Sequence, residues 1–305
     1  MKLLENLRKQ GVDEKLLLKV IEYRESKGAN NDLDLELIYY GKDTWEMAIS
    51  AILSGQNILL TGVKATGKNV FATNLAELFG RPLFETSFHI NTDSDSLIGE
   101  NTLTDGNVVF KEGIIIEAAR KGAFLVLDEI NMARNEAMAV LFSLLDFRKT
   151  VDVAGYDKVE LNEDTRIIAT MNYGYEGTKE LNEALVSRFA VINMATMDRE
   201  IFTKIVGDTF PKLNKKYLDI LSNLYSDLQV KVDKMEISSK ALDFRGFLGA
   251  IKCIEVGLNP LTSFTMFVTN KAFIDYEQEI IDDVIRLHIK GDLKAGDFFL
   301  GAINE

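Results

Sequence analysis

The sequence predicts an α/β chain with a phosphate-binding loop, followed by a region built of helices alone. Three observations carry this. From Asn57 to Met194, short apolar runs alternate with helical patterns, as strands and their crossovers do. Between the first apolar run and the helix after it stands Gly62-Val63-Lys64-Ala65-Thr66-Gly67-Lys68-Asn69, which fits G-x-x-x-x-G-K. From Asp198 onward strand-like runs cease and helical spacing continues to about residue 289.

Residues 1 to about 28 read as two short helices broken at Gly11-Val12-Asp13, the second with Leu16, Leu17, Val20 and Ile21 on one side. They form an N-terminal extension, residues 1–42, read as packing rather than as an accessory element. Thr44 to Leu53 is a helix with Asp43 or Thr44 placed to cap it. Asn57-Ile58-Leu59-Leu60-Thr61 is apolar enough for a strand buried on both faces. Gly62 and Gly67 allow backbone angles closed to other residues. The amides of Val63 to Val70 and the positive end of the helix then surround an anion, and Lys68 reaches the outer phosphates as a point charge.

Leu83 to Phe88 is the next strand. Asn91 to Gly99 is a polar stretch, and Thr102 to Phe110 a hairpin turning at Asp105-Gly106-Asn107. Ile114 to Arg120 is a short helix. Ala123 to Leu127 is a fully apolar strand that ends in Asp128-Glu129. The carboxyl end of a parallel strand opens onto the ligand crevice. There Asp128 is placed to hold magnesium through water, and Glu129 to polarise an attacking water. Asn135 to Asp146 is a helix and Thr150 to Leu161 a hairpin around Ala154-Gly155-Tyr156. Arg166 to Met171 is a buried strand that ends at Asn172, either a turn-capping residue or one that holds the water or the γ-phosphate. Leu181 to Val186, Ser187-Arg188-Phe189 and the strand Ala190 to Met194 complete the α/β core, residues 43–196. The helical region, 197–305, has helices at about 198–206, 211–231, 238–256, 260–271 and 275–289, the third capped by Ser238 or Ser239.

Composition narrows the partners. With 47 acidic against 35 basic residues the net charge is -12, which disfavours a broad nucleic-acid footprint. Cys253 is the sole cysteine, so no internal disulfide forms, and no secretory or membrane-length segment is evident; a cytoplasmic setting is expected. His89 and His288 are too far apart in sequence to suggest a histidine metal site.

The order of these signals resembles an AAA+ ATPase, and within that superfamily the MoxR group with its CbbQ/NorQ, GvpN and dynein/midasin-like relatives. Ser96-Leu97-Ile98-Gly99-Glu100 resembles the group's D-L-x-G-x, and Leu127 to Ala133 its L-D-E-I-N-x-A. Ala169-Thr170-Met171-Asn172 resembles its A-T-x-N, and Leu185 to Phe189 its L-x-x-R-F. The likeness spans roughly residues 45–205. It implies a five-stranded parallel sheet, a helical lid at 197–305, ATP with Mg2+, and a ring, usually hexameric, with nucleotide between neighbours. Arg188 then resembles the arginine finger, and Lys240, with Arg245 as the alternative, the second sensor. The hairpins near Gly106 and Gly155 resemble inserts that in the family face the ring pore or the partner. A partner protein, often one with a von Willebrand factor A domain, is implied too. The chain departs from the group at Asn69, where a hydroxyl residue normally helps coordinate magnesium, and at Ala65, where glycine is usual.

Overall fold

The computed structural model describes residues 2–29, 33, 35–89, 91–104, 106–133, 135–146, 150–151, 158–172 and 181–299. Residues 1–63 and 67–195 form one unit, and residues 64–66 with 196–305 the other. The chain opens on two helices, α1 (Lys2–Lys9) and α2 (Glu14–Lys27), parted at the left-handed Gly11. Asp13 caps α2 by accepting from the Lys15 N–H at 2.8 Å. Leu3, Leu7, Leu17 and Val20 bury themselves in the same cluster as the central sheet, so α1 and α2 contribute to the first unit's core.

α3 (Lys42–Leu53) begins two residues earlier than the expected Thr44. Neither Asp43 nor Thr44 caps it. Gly41 takes the N-cap position at φ 154°, where a Cβ would lie 2.9 Å from the Tyr39 ring. A close approach, rather than a side-chain cap, marks where this helix starts. Trp45 is fully buried, its Nε1 donates to the Tyr39 carbonyl at 3.1 Å, and its ring lies 4.7 Å from Phe71.

Among the described residues the other α-helices and strands of this unit are β1 (Asn57–Gly62), α4 (Lys68–Phe79), β2 (Leu83–Ser87), α5 (Ser94–Ile98), β3 (Gly99–Thr104), β4 (Asn107–Glu112), α6 (Ile114–Lys121), β5 (Phe124–Asp128), α7 (Asn135–Leu144), β6 (Thr150–Val151), β7 (Val159–Glu160), β8 (Arg166–Asn172), α8 (Glu183–Val186) and β9 (Phe189–Asn193). Five strands make one parallel sheet, as expected, and the structure sets their order as β2-β5-β8-β1-β9. Residue alternation divides the core between its two faces. Ile58, Leu60, Phe124, Val126 and Ile168 join α1 to α4 on one side. Leu59, Leu125, Leu127, Ile167 and Ala169 join α5 to α7 on the other. Apolar runs on both faces are what a covered parallel sheet requires.

Among the described residues two antiparallel pairs stand outside this sheet, β3 with β4 and β6 with β7. Residues 152–157, which include the hairpin tip at Tyr156, lie outside the described residues, as does Asp105. The polar stretch read at 91–99 contains a helix, α5, capped by Asp93 accepting from the Ser96 N–H at 2.9 Å. Five residues are too few to display a helical period.

The second unit holds α9 (Arg199–Thr209), α10 (Lys215–Asp233), α11 (Phe244–Glu255), α12 (Pro260–Phe267), α13 (Asp275–His288) and α14 (Ala295–Phe298). Phe202, Tyr225, Phe247 and Phe264 form its aromatic centre, with successive ring centroids 4.6, 5.3 and 5.6 Å apart. The single helix expected at 238–256 is divided. A 3-10 turn, Ser239–Leu242, precedes α11, and Asp243 rather than Ser238 or Ser239 is the cap. Ser238 instead donates to Glu277 at 2.8 Å, and Asp243 also pairs with Lys271, which anchors the break. The helix expected at 260–271 likewise ends at Phe267, before a 3-10 turn at Thr269–Lys271. No helix among the described residues is long and apolar enough to cross a membrane.

Candidate functional site

Strand register brings several of the sequence-predicted residues to one rim. Gly62 at the end of β1 pairs with Asn172 at the end of β8, and Leu127 of β5 pairs with Ala169 of β8. Gly62, Asp128 and Asn172 therefore end three neighbouring strands. The loop from Gly62 carries the backbone into the first turn of α4, where Lys68, Asn69 and Val70 lie. Gly67 is left-handed at φ 84°, and so is Ala65 at φ 65°. An L-residue in that conformation costs about 1–2 kcal/mol, so alanine holds the turn under a strain that glycine would not feel.

Lys68 is 5% exposed, and its Nζ donates to the carbonyls of Gly62 at 3.0 Å and Val63 at 2.8 Å. Burial pulls its ammonium down to about 8, against the opposing pull of Asp128 and Glu129. Below pH 8 the buried charge is a cost to the free fold; between about 8 and 10.5 the unfolded chain binds more protons and that cost fades. Phosphates placed beside Nζ would favour the charged form. Above pH 8, nucleotide binding is therefore expected to take up a proton, and affinity to fall by up to about tenfold per pH unit. Calorimetry in buffers of different ionisation enthalpy measures the uptake; an affinity flat from pH 7 to 9.5 would contradict it.

The two carboxylates are held by polar side chains from neighbouring elements. Asn69 Nδ2 donates to Asp128 Oδ2 at 3.0 Å, and Thr170 Oγ1 donates to Asp128 Oδ1 at 2.5 Å. The same Thr170 oxygen accepts the Glu129 N–H at 3.1 Å. Glu129 is left-handed at φ 54°, a conformation that costs a non-glycine residue roughly 1–3 kcal/mol and clusters at functional sites. Its carboxylate accepts from Asn172 Nδ2 at 3.3 Å. Asn131, almost fully buried, donates from Nδ2 to the Asn172 carbonyl at 3.2 Å, which ties the end of β8 to the turn after β5. Neither Thr170 nor Asn131 carries a role in the sequence reading. The available signal was a hydroxyl inside an otherwise apolar strand, two residues before Asn172 and therefore on the same face.

Arg188 stands apart from this rim. Its guanidinium donates to the Ala184 carbonyl and lies 5.3 Å from the Phe142 ring centroid. Phe189 pairs with Asn57, the first residue of β1, so Arg188 belongs to the opposite edge of the sheet. That edge is about 16 Å from Gly62 along the strand. Lys240 and Arg245 belong to the second unit. Lys240 is exposed with Nζ 5.0 Å from the Phe273 ring centroid, and Arg245 is exposed on the first turn of α11.

Residues 57–189 match the family of AAA domains of the dynein-related subfamily. An uncharacterised protein of Bacillus subtilis (strain 168), YojN, is 31% identical over 207 residues, covering 66% of this chain and 68% of that protein. The chain belongs to the dynein-related AAA domain family. An uncharacterised protein of Staphylococcus aureus (strain NCTC 8325) is 28% identical over 239 residues, 76% of this AAA protein and 90% of its own length. Among solved structures, NtrX from Brucella abortus is similar at a TM-score of 0.40 and 21% identity, over 55% of this chain and 41% of that one. The matched segment runs from the first residue of β1 to the first of β9 and so contains every sheet-rim residue described above. A AAA domain is a P-loop NTPase module, and the phosphate loop and paired carboxylates of this one are intact apart from Ala65 and Asn69.

Proposed function

We propose that this AAA protein hydrolyses ATP within an oligomeric ring of the MoxR type, usually six-membered, and uses the cycle to remodel or activate a partner protein. The observation that carries the reading is the polar web from Asn69 through Asp128 and Thr170 to Glu129 and Asn172, beside the buried Lys68. Lys68 holds the outer phosphates. Glu129 accepts the proton as a water oxygen attacks the γ-phosphorus and the bond to the β-γ bridging oxygen breaks. Asn172 orients Glu129. Arg188 acts on the neighbouring subunit's nucleotide, a reading supported by its place at the far edge of its own sheet. Lys240, with Arg245 as the alternative, is the second-sensor candidate that the family resemblance implies. A protein with a von Willebrand factor A domain is the partner that the family resemblance favours.

The residues fit a magnesium ion. Among the described residues no group of three or more acidic, histidine or cysteine side chains is arranged to hold a metal. Nucleotide-bound magnesium needs only one or two protein ligands, and the Asp128 carboxylate offers oxygens, with the Asn69 side chain, whose Nδ2 lies 3.0 Å from Asp128 Oδ2, carrying an amide oxygen as the second candidate. When bound, the ion supplies charge neutralisation on the phosphates.

A second reading rests on Asn69 itself. Its amide donates to Asp128 Oδ2, so the chain would bind nucleotide and assemble with little turnover. Phosphate release from ATP by the purified protein, followed across magnesium concentrations, tests both readings. Robust release supports the hydrolase; its absence, with Asn69→Thr raising it about tenfold or more, supports the assembly module.

A further inference from the structure

We propose that Thr170 is a positioning residue that sets the geometry of both carboxylates through one hydroxyl group. The inference rests on the reading that Asp128 and Glu129 serve the bound nucleotide. Thr170 is completely buried in the third strand of the sheet order, one register step beyond the Leu127–Ala169 pair and thus level with Asp128. A threonine hydroxyl has a single hydrogen and two lone pairs. One lone pair accepts the Glu129 N–H, and the hydrogen goes to Asp128 Oδ1. That directionality matters. The Glu129 N–H can only donate to Thr170, which leaves the hydroxyl hydrogen to the carboxylate beside it.

Asp128 then has its two oxygens sorted. Oδ1 is tied to Thr170, buried in the sheet, and Oδ2 faces Asn69 at the start of the phosphate-loop helix. The edge of the carboxylate that meets a nucleotide-bound cation is therefore chosen by a residue that touches neither nucleotide nor cation. The same hydroxyl fixes the turn that aims the Glu129 side chain toward Asn172. A valine at this position keeps the shape of the strand residue and removes both bonds. Hydrogen bonds to charged groups are among the stronger ones, so the loss is measurable.

The test compares Thr170→Val and Thr170→Ser with the full chain in nucleotide-binding and turnover assays, with MgCl2 titrated and with EDTA. Thr170→Val is expected to raise the magnesium concentration for half-maximal nucleotide binding by about tenfold. Affinity in EDTA should stay within about twofold and Thr170→Ser should restore the magnesium response. An unchanged magnesium response in Thr170→Val, an equal loss in EDTA, or a serine variant no better than valine would each overturn the proposal. If the valine variant does not fold, Thr170→Cys, similar in size and a weaker donor, is read against the same outcomes. A chain that releases no phosphate while Thr170→Val still shifts the magnesium response would remove the hydrolase reading and leave Thr170 in its role.

Discussion

Glu129→Gln is expected to slow ATP turnover by about 10²–10⁴-fold while nucleotide affinity stays within a few-fold of the unaltered chain. The substitution keeps the length and planarity of the side chain. It also keeps an oxygen to accept from Asn172 and a backbone N–H to donate to Thr170. What it removes is the proton acceptor. Binding should survive because Lys68 and the phosphate loop are untouched, and the left-handed turn at Glu129 has no reason to relax. Single-turnover phosphate release, paired with titration of a fluorescent nucleotide, separates the two quantities. Turnover that survives the change would show that the water is activated elsewhere.

Arg188→Ala should be comparably severe, about 10³-fold or more in turnover, yet visible only where subunits meet. The residue lies about 16 Å along β1 from the phosphate loop of its own chain, and its guanidinium rests on Ala184 and Phe142. Truncation there should leave nucleotide binding by the isolated chain unchanged. Mixing supplies the decisive comparison. In a head-to-tail ring assembled from equal amounts of Arg188→Ala and Glu129→Gln chains, about a quarter of the interfaces under random mixing unite an intact Glu129 with a neighbour's intact Arg188. Activity should therefore reappear on mixing two inactive preparations. If it does not, Arg188 does not act across an interface.

Much of the α/β unit could be read from residue order because its strands are buried on both faces. Ile58 to Leu60, Phe124 to Leu127 and Ile167 to Ala169 are continuous apolar runs, and each leads toward the rim residue that ends its strand, Gly62, Asp128 or Asn172. The glycines at 62 and 67 announce their turn through the conformations only glycine adopts cheaply, and both are observed at positive φ. Helix boundaries were less legible. The start of α3 depends on Tyr39 packing against Gly41, and the break before α11 on Asp243 holding Lys271 and the Arg245 N–H at once. Both are contacts formed in the folded chain, so local patterning carries no trace of them.

Sequence alone determined that this chain has a phosphate loop, a carboxylate pair at a strand end and a polar strand end after it. Each of those is a short-range pattern of residue type and spacing. The tertiary structure decided which of them touch. It set β8 between β5 and β1, so that Thr170 reaches both Asp128 and Glu129, and put Arg188 on the opposite edge from Lys68. Strand order is a property of long-range pairing among similar apolar segments. Their hydrophobicity makes them a sheet, but only the register of backbone hydrogen bonds and the packing of both faces select who neighbours whom.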